Sequence, residues 1–133
     1  PNSTKRLEYA SEMFNGCESL ATINLAWLDL SKVSSVSNMF ECCAVLEELD
    51  LSKVNAKAIK YADCIFEGCS NLAKLNLTGL KMENLVAGWY MFKNCYNLKE
   101  ILITDFPNKL SDEQRNSMFE EAGIGCFTLV IEA

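Results

Sequence analysis

Met39-Phe40-Glu41-Cys42-Cys43-Ala44-Val45-Leu46-Glu47-Glu48-Leu49-Asp50-Leu51 decides the fold, because its pattern occurs four times in a chain of 133 residues. An earlier version is Met13-Phe14-Asn15-Gly16-Cys17 with Leu20, Ile23 and Leu25, and a later one is Ile65-Phe66-Glu67-Gly68-Cys69 with Leu72, Leu75 and Leu77. The fourth, Met91-Phe92-Lys93-Asn94-Cys95, carries Leu98, Ile101 and Ile103. Phe14, Phe40, Phe66 and Phe92 are 26 residues apart, and so are Cys17, Cys43, Cys69 and Cys95. A fixed period of this length means units that cannot bury an apolar face alone and do so by stacking on one another.

The rest of the period stays in phase. Val33, Ile59 and Leu85 correspond, as do Val36, Ala62 and Gly88, and Leu28, Val54, Leu80 and Phe106. Leu7 and Ala10 fall on the same phases, which places a partial coil over residues 1–12 and coils starting near 13, 39, 65 and 91. Ile59, Ala62, Ile65, Phe66 and Cys69 lie at i, i+3, i+6, i+7 and i+10, the spacing of one face of a short helix of two to three turns. Leu72-x-x-Leu75-x-Leu77 then changes to alternation, with Leu75 and Leu77 on one face of a short strand. A short strand plus a short helix per coil predicts an α/β class, right-handed leucine-rich-repeat solenoid forming a single domain over 1–133.

Met118-Phe119 arrives 27 residues after Met91-Phe92, one late, so the array is expected to end there. Ser111-Asp112-Glu113-Gln114 is a capping-box signature with acidic residues where the helix dipole favours them. A capping helix and strand are therefore expected over about 111–133. Met118, Phe119 and Ala122 would form the buried face of that helix, Gly123 its C′ residue, and Cys126 to Ile131 the final strand. Pro107 would close the preceding coil.

Composition narrows the function classes. Half the residues are hydrophobic and 23% are charged, with 12 Lys and Arg against 18 Asp and Glu and a net charge of −6. That sign disfavours nucleic acid and anionic membrane as partners. No stretch approaches the roughly 18 apolar residues of a membrane helix. The chain begins at Pro1 without a basic, apolar leader, so any targeting segment is expected outside this sequence. Histidine is missing, which removes the commonest general base and the commonest imidazole metal ligand. Glu47-Glu48-Asp50 and Glu120-Glu121 read as solvated faces, no Gly-rich phosphate loop occurs, and no catalytic residue or cofactor is expected.

Seven cysteines, an odd number, cannot all pair within the chain. The four in phase lack the C-x-x-C pairs of zinc sites, so a ladder of small buried hydrophobes is expected and no metal. Cys42 takes the place of Gly16, Gly68 and Asn94, and Cys64 that of Glu12, Asn38 and Tyr90, so both are expected near the surface as oxidisable thiols. Cys126 is expected in the core. Asn2-Ser3-Thr4 and Asn76-Leu77-Thr78 match the glycosylation sequon by chance composition.

These residues resemble the BspA-like leucine-rich repeats of bacterial and protist surface proteins, whose 26-residue unit runs M-F-x-x-C-x-x-L-x-x-L-D-L-S-x-F-D-T-S-x-V-x-x-M. Met39 to Ser52 follows its first half closely, and Asp29-Leu30-Ser31-Lys32-Val33-Ser34-Ser35-Val36 its second. The second half is degraded to Asn55-Ala56-Lys57 and Lys81-Met82-Glu83 in later coils, which changes surface chemistry and leaves the apolar phases intact. The resemblance implies a secreted or cell-surface protein that binds a protein or matrix partner and performs no catalysis. The alternatives are a spacer within a larger surface protein, or an intracellular scaffold in which free thiols would be natural.

Outward strand positions of such a stack form a continuous concave sheet used for recognition. Here they are Thr22, Asn24, Glu48, Asp50, Lys74, Asn76, Glu100 and Leu102, a mixed and mildly acidic surface. Trp27, in phase with Lys53, Gly79 and Asp105, is expected exposed at a strand exit as an interface anchor.

Overall fold

The structure is a computed structural model that describes residues 9–104 and 109–123, and the backbone of 128–131. Leu7, Phe106, Pro107, Cys126 and the Asn2 sequon lie outside the described residues.

Alternation after each in-phase leucine produces three short strands: β1 (Glu48–Asp50), β2 (Lys74–Asn76) and β3 (Glu100–Ile103). A fourth, β4 (Thr128–Ile131), follows the one helix found among the described residues, α1 (Asp112–Met118). The strands form one parallel sheet in the order β1-β2-β3-β4. Leu49 pairs with Leu75 and Leu75 with Ile101, so the sheet register is the 26-residue period itself. Between β3 and β4 the offset grows to 28, Glu100 facing Thr128, because the connection now includes α1.

Stacking buries the in-phase residues almost completely. Val33, Val54, Ile59, Phe66, Cys69, Leu72, Leu77 and Leu85 have no measurable exposure, and no polar or charged residue belongs to the described core. Phe14, Phe40, Phe66, Phe92 and Phe119 form a column of near-parallel rings with centroids 5.2–5.7 Å apart. Such offset stacks contribute about 0.5–1.5 kcal/mol per pair beyond their buried area. Beside the column, the Cys43, Cys69 and Cys95 thiols donate to the carbonyls of Phe14, Phe40 and Phe66, each in the preceding coil, at 3.1–3.2 Å.

The helix expected within each coil is not formed. Over residues 62–69 the N–H groups of Ala62, Cys64, Phe66 and Gly68 donate to the carbonyls of Ala87, Trp89, Met91 and Lys93 in the next coil, at 2.8–2.9 Å. The alternate N–H groups of Ile65, Glu67 and Cys69 close turns onto carbonyls three residues back, at 3.1–3.3 Å. The same alternation holds in the preceding coil, from Val36 to Cys43. It requires two left-handed residues per coil, and these recur in phase: Glu12, Asn38, Cys64 and Tyr90 form one set, and Gly16, Cys42, Gly68 and Asn94 the other. A left-handed residue every fourth position ends any α-helix, yet leaves the apolar residues at helix-like spacing. Parallel bridges between Tyr9, Ser35, Tyr61 and Ala87 begin this ladder on the side of the coil away from the sheet segment.

At the last coil the ladder meets α1. Phe92 and Asn94 still donate to backbone carbonyls, those of Met118 and Glu120. Two and four residues before Phe92 the acceptors are side chains: Ser117 Oγ receives the Tyr90 N–H at 3.4 Å and Gln114 Oε1 the Gly88 N–H at 2.7 Å. A helix spends its carbonyls internally, so its side chains complete the neighbouring coil. Ser111 caps α1 by accepting from the Gln114 N–H, while the Gln114 amide, which would return to Ser111 in a full capping box, reaches across to Gly88 and Val86 instead. Met118 is buried and Phe119 and Ala122 pack on the core. Gly123 has φ 55° but lies past the helix end; its N–H donates to Cys95 O, so it joins the cap to the coil instead of terminating α1.

Candidate functional site

Alternation places Glu48 and Asp50 on the outer side of β1 around a buried Leu49, and Lys74 and Asn76 likewise around Leu75. With the parallel register, one row runs Glu48, Lys74, Glu100 across the strands and a second runs Asp50, Asn76, Leu102, with Thr22 and Asn24 one period earlier in the sequence. A shallow, open depression of about 380 Å3 lies over both rows, lined by Thr22, Ile23, Glu48, Asp50, Lys74, Asn76, Glu100 and Leu102 with Leu49 and Leu75 as its floor.

The two rows differ in what their side chains already do. Asn24, Asp50 and Asn76 each fold back on the following backbone, accepting from the N–H two residues on: Ala26 at 3.0 Å, Ser52 at 2.9 Å and Thr78 at 3.0 Å. Asn76 also accepts from the Thr78 hydroxyl at 2.7 Å. These are Asx turns, which substitute a side-chain oxygen for a backbone carbonyl and fix the bend out of the strand. Hydrogen bonds from the Ser52 hydroxyl and then its N–H hold the Asp50 carboxyl below the usual range. At the fourth coil Leu102 replaces the Asx residue, and the Thr104 hydroxyl donates to Thr78 O instead.

In the other row, Glu48, Lys74 and Glu100 make no side-chain hydrogen bond or ion pair among the described residues. Their charges alternate, so the row does not repel itself.

Asn24 is the one expected position outside the depression lining. Trp27 is 58% exposed, in a turn of a coil that forms no strand, and also outside the lining. Trp89, on the ladder side of the coil, is also exposed, with its ring 6.0 Å from that of Tyr90.

The cysteines are all free among the described residues. Cys43, Cys69 and Cys95 are buried, but Cys17, expected with them, is only partly so, its coil being stacked on one side among the described residues. Burial pushes the Cys43 thiol up to about 11 and the Cys95 thiol to about 12, and Cys69 further. Cys42 is exposed and Cys64 partly buried; burial first, and then Glu67, holds Cys64 at about 12. Burial and the carboxylates of Glu41, Glu67 and Glu18 likewise raise Cys42. Neither thiol is activated as a nucleophile. Among the described residues no three His, Cys, Asp or Glu side chains gather closely enough to hold a metal ion, and no helix is long and apolar enough to cross a membrane.

The Asx turns and the left-handed ladder had sequence signals beyond the apolar phases. Asn24-x-Ala26, Asp50-x-Ser52 and Asn76-x-Thr78 repeat every 26 residues, and Gly or Asn occupies the same phase at 16, 68 and 94, interrupted by Cys42.

No curated protein and no solved structure matches the chain. A family model does, with six copies over residues 1–124, nearly the whole length. Repeats of this type are generally surface-associated, non-enzymatic protein-binding elements. With its in-phase Phe, Cys and Leu columns and parallel sheet, the chain belongs to the BspA-type leucine-rich repeat region family.

Proposed function

We propose that the chain is a non-enzymatic recognition module of a cell-surface or secreted protein, binding a protein or extracellular-matrix ligand on the outer face of its sheet. Crossovers between parallel strands are overwhelmingly right-handed, so the stack is read as a right-handed solenoid with that sheet on its concave side. The observation that carries the reading is the row Glu48, Lys74, Glu100: three formal charges held in register over an open depression, with no partner among the described residues. Solvated charges cost nothing to leave exposed, but their arrangement beside an apolar floor gives a ligand both polar address and buried area.

The test is selection of a displayed peptide library on the native protein, followed by affinity measurement on a Glu48→Gln, Lys74→Gln, Glu100→Gln variant. All three positions are on the sheet surface, so the variant should keep its melting temperature within about 2 °C. The reading predicts that the dominant binders lose at least about tenfold in affinity, the equivalent of about 1.4 kcal/mol. Binders indifferent to the substitutions would place recognition elsewhere, and a failure to select any binder would favour a spacer role.

A further inference from the structure

We infer that the ligand on this face is an α-helix presenting a basic, an acidic and a basic side chain on successive turns, aligned with Glu48, Lys74 and Glu100. The inference rests on the reading of the sheet face as the binding surface and adds the chemistry and shape of what it binds.

Charge sets the order. Glu48 stands opposite Lys74 and Lys74 opposite Glu100 in the strand register, giving negative, positive, negative across three adjacent strands. The row has defined ends: Thr22 occupies the equivalent position before it, and Thr128 is the register partner of Glu100 after it. A complementary ligand therefore needs three charges of opposite order, and a longer charged stripe gains nothing. Among the described residues no side chain pairs with them, and the neighbouring Asp50 carboxylate accepts the N–H of its own turn.

Spacing sets the conformation. Neighbouring strands lie about 4.8 Å apart, so Glu48 and Glu100 are separated by about 9.6 Å along the stack. The depression extends across the strands, from Thr22 to Glu100, so an elongated ligand lying in it runs along that axis. An α-helix brings side chains back to one face every turn of 5.4 Å, and residues i and i+7 are about 10.5 Å apart, within about 1 Å of the required span. An extended strand returns to one face every second residue, about 6.8 Å, and is about 4 Å out of step after two repeats. A polyproline helix spans about 9.3 Å per turn, so it can meet both glutamates but leaves Lys74 without a partner. Only the helix matches all three charges. Leu102, the outward apolar residue next to Glu100 on β3, gives the helix one hydrophobic contact at that end of the row.

The test uses three soluble helical peptides on an alanine and glutamine background. The first carries Lys, Glu and Lys at i, i+4 and i+7; the second carries Glu, Lys and Glu there; the third carries Gln at all three. Binding is measured by fluorescence anisotropy at low salt, against the native protein and against a Glu48→Lys, Lys74→Glu, Glu100→Lys variant whose fold is checked by circular dichroism. The expected result is a preference of at least about tenfold for the Lys-Glu-Lys peptide on the native protein, reversed in favour of Glu-Lys-Glu on the variant and reduced by added salt.

Equal affinities, a preference that the variant does not reverse, or no binding of any peptide at millimolar concentration would overturn the inference. These failures are separable from failure of the underlying reading. If library-selected binders lose affinity on the Gln variant but lack the basic-acidic-basic helical pattern, the face binds and the ligand class is wrong. If selected binders ignore the Gln variant, both fall.

Discussion

Cys17, Leu20 and Ile23 in the first coil and Cys69, Leu72 and Leu75 in the third are the same motif 52 residues apart, yet the first set is partly exposed and the second is sealed. Phe14 is likewise partly exposed while Phe66 shows no exposure. Their local sequences are close to interchangeable, so local preference does not account for the difference. Among the described residues the third coil has neighbours above and below, whereas residues 13–25 are stacked on one side only. Residues 22–24 also form no strand, although their counterparts 48–50, 74–76 and 100–102 do. Each coil thus draws its order from the coils that flank it, as expected of a quasi-one-dimensional stack.

Substitutions in outer and inner coils can break or sharpen that contrast. The largest effect is expected at Gly79, where an added Cβ would lie 2.1 Å from the Leu51 carbonyl of the neighbouring coil, a backbone atom that cannot move aside. Gly79→Ala should cost more than about 4 kcal/mol or prevent cooperative folding altogether, as measured by urea titration. Gly16→Ala, at φ 71° with nothing within 4 Å, should cost only the left-handed strain, about 1–2 kcal/mol.

Next comes the ring column. Phe66→Ala, between two stacked rings, should lose about 3–5 kcal/mol, and Phe14→Ala, stacked on Phe40 alone, about half of that. Equal losses at the two sites would mean that the coils fold independently of their neighbours.

Alkaline pH probes the cysteine column. A thiol raised from 9.0 to about 11 or 12 in the folded chain favours its neutral form there, so the stability it contributes is complete below pH 9. It is lost as pH rises through about 11 at Cys43 and about 12 at Cys95. The melting temperature should therefore fall between pH 9 and pH 12, and a Cys43→Ala, Cys95→Ala variant, though less stable at neutral pH, should fall less steeply over that window.

The smallest expected effect is a gain. Cys42 holds φ 61° where the equivalent coils have Gly16, Gly68 and Asn94, so Cys42→Gly relieves left-handed strain and should stabilise by up to about 1 kcal/mol. Gly68, by contrast, needs its missing side chain, since a Cβ there would meet Cys42 Sγ at 3.1 Å.

Most of the stack was legible because burial follows the period: every in-phase position from Val33 to Cys95 is buried where residue type and spacing place it. The helix was not, because i, i+3, i+7 spacing reports only which residues face inward. A run of turns with left-handed residues at 38 and 42, or 64 and 68, produces the same pattern as a helix. Glycine and asparagine at some of those phases carried the missing information, but Cys42, Cys64 and Tyr90 obscured it. On the sheet face, alternation gave the outward positions of both rows. It could not separate Glu48, Lys74 and Glu100 from Asn24, Asp50 and Asn76, since a free charge and a turn-forming Asx residue look alike until the turn N–H is placed.

The most direct test of the stacked architecture is site-resolved thiol labelling of the native protein at neutral pH, with each cysteine's rate normalised to that in urea. Stacking predicts that Cys42 reacts fastest, that Cys17 is intermediate, and that Cys43, Cys69 and Cys95 react only as fast as the stack opens. If Cys69 and Cys95 were modified as readily as Cys42, there would be no buried column, and the stack built on it would be wrong.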